Sequence, residues 1–128
     1  MTAITGTITF FYYEDLPRAA AFYEAFLQRT PATSTEWVHL FSLAGGASLG
    51  LVGGGGSLRP AKDKPVMLSL IAENRSAVDD WHGRARRDRV PIIGTPKVTR
   101  VNEAQSFYGF ICEDCEGYAI EVLCWLAS

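Results

Sequence analysis

Cysteine is scarce in this chain, and the three present, Cys112, Cys115 and Cys124, are an odd number. A small secreted domain stapled by disulfides needs paired cysteines, so that class is set aside and a reducing compartment, the cytoplasm, is expected. Histidine is scarcer still, with only His39 and His82, which restricts any metal chemistry built on imidazole. An excess of one charge is also missing. The net charge of −2 gives too weak a field to gather nucleic acid or an anionic membrane. No run approaches the roughly 18 apolar residues of a membrane span. The first residues lack a basic start followed by an apolar stretch, so no signal peptide is expected. Arg84, Arg86, Arg87 and Arg89 form a local basic run, but Asp79, Asp80 and Asp88 interrupt it, as on a solvated helix face.

What is there is a globular composition. With 128 residues, 48% of them apolar, the chain can bury one proper core. Residues 5–13 are β-branched and aromatic and predict a strand. Asp15 offers a helix N-cap with Pro17 in the first turn, and Ala19, Phe22, Tyr23, Phe26 and Leu27 recur at helical spacing until Pro31. Strands are predicted over 37–43 and 47–52, with Gly45-Gly46 as the turn between them. The run Gly53-Gly54-Gly55-Gly56-Ser57 then reads as a flexible connector. It lacks the Gly-Lys-Ser/Thr ending of a phosphate loop.

The pattern then begins again. Residues 65–72 read as a strand. Asn74 and Ser76 offer helix caps, Ser76 with Asp79 resembling a capping box, and Val78, Trp81 and Ala85 mark a helical face. Residues 90–93 and 97–101 are extended, with Pro91 and Pro96 confining them to edges or bends. Two strands, 106–112 and 118–126, close the chain. A shift of 59 places Asp15 on Asn74 and Phe22-Tyr23 on Trp81-His82. A shift of 71 places the segment 46–52 on 117–123, and so Gly50 on Glu121. These offsets point to a duplicated strand-helix-strands unit.

The segment 107–123 carries the most information. It reads as strand, tight turn, strand, with one carboxylate, Glu121, inside the otherwise apolar second strand. A charge there is costly unless it is paired, hydrogen-bonded or bound to a metal. Cys112-Glu113-Asp114-Cys115 is a Cys-x-x-Cys, but a structural zinc wants four ligands and only Cys124 remains. A thioredoxin-like pair would open a helix rather than end a strand, so chance occurrence is favoured over either use.

The opening Phe11-Tyr12-Tyr13-Glu14-Asp15-Leu16, followed by Ala21-Phe22-Tyr23 and Leu27, resembles the first strand and helix of the vicinal oxygen chelate superfamily of glyoxalases, bleomycin-resistance proteins and ring-cleaving dioxygenases. Asp114-Cys115-Glu116-Gly117-Tyr118-Ala119-Ile120-Glu121 resembles its terminal signature, with Cys115 where proline is usual. The resemblance implies an α+β fold of paired βαβββ modules whose mixed sheet curves around a pocket. The expected organisation is one glyoxalase-like domain over 1–128, its modules 1–56 and 64–128 joined by the Gly-rich linker. A homodimer is also implied. In the superfamily's metalloenzymes a divalent ion polarises two neighbouring substrate oxygens. Carried onto this chain, the four ligand positions fall near Ile8, Gly50, Met67 and Glu121, and of these Glu121 alone is a good ligand. The ligand set is incomplete, so no cofactor is expected, although a divalent metal completed by non-standard partners such as His39 and Tyr12 stays open.

Strand alternation sorts the expected pocket wall. Phe10 and Tyr12 would line it with Ser48, Met67, Ser69 and Glu121, and His39 could join from its strand. Arg59 and Lys62 could reach over the mouth toward an anionic ligand, and Arg100 could either pair with Glu121 or sit at an edge. An apolar wall with sparse polar points suits a small molecule. Three functions remain open at this point. One is a metal-free binding protein for an aromatic or amphipathic molecule, in which Glu121 hydrogen-bonds or neutralises the ligand. Another is a lyase, isomerase or dioxygenase using Glu121 as metal ligand or general base. The third is a structural or regulatory dimer with a vestigial pocket, which a filled core with Glu121 tied to an arginine would favour.

Overall fold

The computed structural model describes residues 2–127 and divides after Asp63 into two compact units. The first unit runs β1 (Thr7–Tyr12), α1 (Leu16–Leu27), β2 (Thr33–Ser34), β3 (Val38–Ser42) and β4 (Ala47–Val52). Its four-stranded sheet has the order β1-β4-β3-β2. β1 lies parallel to β4, while β3 is antiparallel to both β4 and β2. The second unit runs β5 (Met67–Ile71), α2 (Arg75–Arg87), β6 (Ile92–Arg100), β7 (Ser106–Glu113) and β8 (Ala119–Leu126). Its sheet order, β5-β8-β7-β6, repeats the first strand for strand. Two mixed sheets and two helices make the fold α+β, as expected from the sequence. Among the described residues no helix is long and apolar enough to cross a membrane.

In each unit the helix covers one face of the sheet. The Asp15 carboxylate accepts from the Arg18 N–H at 3.1 Å and so caps α1, with a proline in its first turn. The apolar spacing of α1 then buries Ala19, Tyr23, Phe26 and Leu27. Tyr23 meets Phe41 at 6.4 Å between ring centroids, and the Tyr13 and Tyr23 hydroxyls share a hydrogen bond of 3.4 Å beneath the helix. Leu49 and Leu51 of β4 complete this core without exposure. In the second unit Val78 and Ala85 of α2 are buried together with Phe110, Cys112, Ile120, Val122 and Cys124.

Several local expectations are corrected. Asn74, not Ser76, caps α2, because its side chain accepts from Ala77 N–H at 2.9 Å. Ser76 lies inside a helix that already starts at Arg75, so no Ser76–Asp79 box forms. The face of α2 that meets the sheet also includes His82, one turn after Val78. The His82 ring lies 5.1 Å from Phe110, while Trp81 carries the Arg84 guanidinium at 4.3 Å over its ring. The two extended segments after α2 form one edge strand, β6, broken by register shifts between Ile92 and Gly94 and between Gly94 and Lys97. The second shift spans Pro96, which has no N–H to give the ladder.

Candidate functional site

The second unit holds Glu121 through a turn that its own sequence dictates. The Asp114 carboxylate, 4% exposed, accepts from the N–H groups of Glu116 and Tyr118 at 2.9 and 3.0 Å. Asp114 N–H in turn donates to Tyr118 C=O at 2.9 Å. Gly117 takes φ +92°, a conformation glycine adopts at no steric cost. This closure pairs Glu113 with Ala119 and hence Ile111 with Glu121. Alternation then puts Ile120, Val122 and Cys124 under α2 and turns Ala119, Glu121 and Leu123 to the face without a helix.

On that face Glu121 is 8% exposed. Its strand neighbours are Ser69 on β5 and Ile111 on β7. Ser69 Oγ donates to Glu121 Oε1 at 2.8 Å. Among the described residues no lysine or arginine pairs with this carboxylate. Arg100, left open between two roles, sits at the sheet edge and donates to the Glu103 carbonyl at 3.0 Å. Met67 lies two residues before Ser69 on the same face of β5 and is 46% exposed.

The first unit presents an apolar counterpart. Its register pairs Ile8 with Ser48, Phe10 with Gly50 and Tyr12 with Val52, which places all of them on the helix-free face, as expected for Phe10, Tyr12 and Ser48. A Cβ at Gly50 would fall 2.6 Å from Phe10 Cε1, closer still to Cδ1, and 3.1 Å from Leu40 Cδ2. The Phe10 ring therefore covers Gly50. Phe10 itself stays 42% exposed.

Two expected site residues have local hydrogen-bond partners. His39 pairs with Leu51, so it shares the helix-side phase of β3, and its Nδ1 hydrogen-bonds the Ser34 hydroxyl at 2.9 Å. The strand begins at Val38 and its antiparallel register fixes this phase, which composition alone does not reveal. Arg59 Nη1 donates to its own loop, to the carbonyls of Gly56 and Leu58 at 2.7 and 3.0 Å. The glycine run it closes is more than a free connector. A Cβ at Gly55 would meet Trp37 Cβ at 2.9 Å, and one at Gly56 would strike Val52. Glycine is used there for close approach. Ile111 and Leu40, which flank Glu121 and Gly50, are site neighbours that no motif marks. The Asp114–Gly117 turn would have supplied Ile111, because hairpin closure sets the pairing.

Cys112 has no exposure. Burial, followed by the negative charges of Asp114 and Glu113, pushes its thiol up to about 12. A thiol held protonated is a poor nucleophile, which weighs against a redox role for the Cys-x-x-Cys.

A family model for the glyoxalase/bleomycin resistance protein/dioxygenase superfamily matches residues 6–122. The chain belongs to this superfamily. No curated protein matches it by sequence. Solved structures of similar fold include a lactoylglutathione lyase from Agrobacterium tumefaciens, 22% identical with TM-score 0.71, covering 97% of this chain and 94% of its own. A glyoxalase/bleomycin resistance protein/dioxygenase from Alicyclobacillus acidocaldarius is 14% identical with TM-score 0.74, covering 94% and 91%. A glyoxalase/bleomycin resistance protein from Albidiferax ferrireducens is 15% identical with TM-score 0.73, covering 92% and 97%.

The metal centre that superfamily membership implies does not fit the donors present. Ile8 and Gly50 carry no ligating atom, and Met67 offers only a soft thioether, unsuited to the hard ions that carboxylates favour. The space a ligand at position 50 would need is taken by the Phe10 ring. His39, the one imidazole considered as a substitute, faces the helix side. Among the described residues no three His, Cys, Asp or Glu side chains gather into a cluster. What the Ser69–Glu121 pair offers chemically is a negative charge and hydrogen-bond acceptors beside apolar side chains.

Proposed function

We propose that this superfamily member binds a small aromatic or amphipathic molecule on the apolar, helix-free face of its second sheet, without the metal centre. One observation carries the reading: Glu121 is buried beside apolar neighbours with the Ser69 hydroxyl as its hydrogen-bond partner and, among the described residues, no counter-cation. A carboxylate in such surroundings lowers stability unless something compensates it, and a bound ligand is the compensation that function would retain. An arginine on Glu121 would favour the vestigial reading, whereas Arg100 donates to the Glu103 carbonyl. Met67 and Leu123, on the same face as Glu121, supply contact surface in this reading. The three free cysteines agree with a cytoplasmic setting, and a homodimer is the expected assembly.

Titration of the metal-stripped protein with a panel of small aromatic and amphipathic compounds tests this, read by calorimetry and by tryptophan fluorescence. Saturable binding that survives chelator supports it. Binding or turnover that appears only on adding a divalent metal would overturn it in favour of a lyase, isomerase or dioxygenase.

A further inference from the structure

The hydrogen-bond polarity at Glu121 narrows the ligand class. A carboxylate has no hydrogen to give, and serine has one. That one proton is directed to Glu121 Oε1 at 2.8 Å. The lone pairs of Ser69 Oγ are then what it offers to anything arriving on this face, and the second carboxylate oxygen is an acceptor too. The residues on either side in the sheet, Ile111 on β7, and Ala119 and Leu123 on β8, bring no polar hydrogen. The cluster thus has two adjacent acceptors, one formal negative charge and no donor left over.

From this polarity we infer that the Ser69–Glu121 pair selects a ligand bearing a protonated nitrogen with at least two hydrogens, an alkylammonium or amidinium, on an apolar body, and that it rejects carboxylates and other anions. The inference rests on the binding reading above and deepens it. A neutral donor could satisfy the acceptors but would leave the charge of Glu121 uncompensated. A cation does both, and a charge-assisted bond in an apolar setting is stronger than a neutral one. An anion would face a like charge with no donor to offset it. The apolar body suits Leu123 and the exposed Met67 beside the pair.

Three probes of one shape decide the matter: 4-phenylbutylammonium, 4-phenylbutanol and 4-phenylbutanoate, titrated at pH 7 into the metal-stripped full chain and into Glu121→Gln, whose folding is checked by circular dichroism. The ammonium probe is expected to bind about tenfold or more tighter than the other two, and to lose that advantage in Glu121→Gln. Equal binding of all three, preference for the carboxylate, or an ammonium advantage that persists in Glu121→Gln overturns the cation inference and leaves the binding reading standing. Failure of every probe to bind overturns both. Should Glu121→Gln not fold, the ranking of the three probes on the native chain decides alone.

Discussion

The ring of Phe10 occupies the space that a side chain on Gly50 would need. The pair is the repeat equivalent of Ser69 and Glu121, because Phe10 faces Gly50 across β1 and β4 as Ser69 faces Glu121 across β5 and β8. One copy of the duplicated unit holds a carboxylate under a hydroxyl, and the other holds bare backbone under an aromatic ring. Gly50→Ala should therefore destabilise the protein by about 1–3 kcal/mol through overpacking. In a Phe10→Ala background the same change should cost close to nothing. Denaturant unfolding of the four proteins in that cycle measures the coupling, and equal costs in both backgrounds would show that the ring does not hold the site.

The repeat was legible in the residues. Offsets of 59 and 71 carry the observed pair Ile8–Ser48 onto Met67–Ala119 as well as Phe10–Gly50 onto Ser69–Glu121. Periodicity and turn chemistry are local, so they survive without coordinates. The phase of His39 and the ring over Gly50 did not, because both depend on pairing with a distant strand, and a one-residue change of strand phase reverses the face. The glycine run likewise looked flexible because the side chains it packs against, Trp37 and Val52, lie upstream of the run and reach it only in the fold.

The Asp114 turn should be worth measuring directly. Asp114→Ala removes the acceptor of two N–H groups and is expected to cost about 1–3 kcal/mol, with Asp114→Asn milder because its amide oxygen can still accept. Gly117→Ala, forced to φ +92°, should cost about 1–3 kcal/mol from strain alone. Thermal or urea unfolding reads all three, and an unchanged midpoint in Asp114→Ala would deny the turn its role in setting the Glu121 register.

Cys112 sets an alkaline limit. Its thiol is raised to about 12 in the folded chain, so the unfolded chain, with an ordinary thiol, releases its proton first as pH climbs. The folded state then binds more protons, and stability falls with rising pH. The contribution is complete below about pH 8.5, the usual thiol range, and is lost progressively toward pH 12. Cys112→Ala should flatten the decline of unfolding free energy over that window. A slope identical to the native protein's would show that the thiol is not the group responsible. In the folded protein at pH 8, alkylation should reach the half-buried Cys115 before Cys112.

His82 buries Nε2 without a hydrogen-bond partner among the described residues while its ring packs on Phe110. Replacing an unsatisfied buried polar atom by an apolar one of similar shape removes its desolvation cost. His82→Phe should be neutral or stabilising by about 1 kcal/mol, seen as an equal or raised unfolding midpoint. A clear loss would reveal a bound water or other partner on that nitrogen.

Glu121 itself should trade stability for binding. A carboxylate kept among Ile111, Ala119 and Leu123 for its ligand lowers the stability of the empty protein, whereas one kept for the fold would raise it. Glu121→Leu is then expected to stabilise the chain by about 1–3 kcal/mol, as apolar replacements of buried charges often do, while removing ligand binding. Ser69→Ala should act oppositely and cost about 1–3 kcal/mol, because it strips the hydrogen bond from a carboxylate that remains buried. With Leu at position 121 there is no carboxylate to strand, so the Ser69→Ala cost should vanish. Unfolding of the single and double variants, each paired with a ligand titration, separates the roles. If Glu121→Leu destabilises the protein, the carboxylate is part of the structure and its function as a ligand site falls.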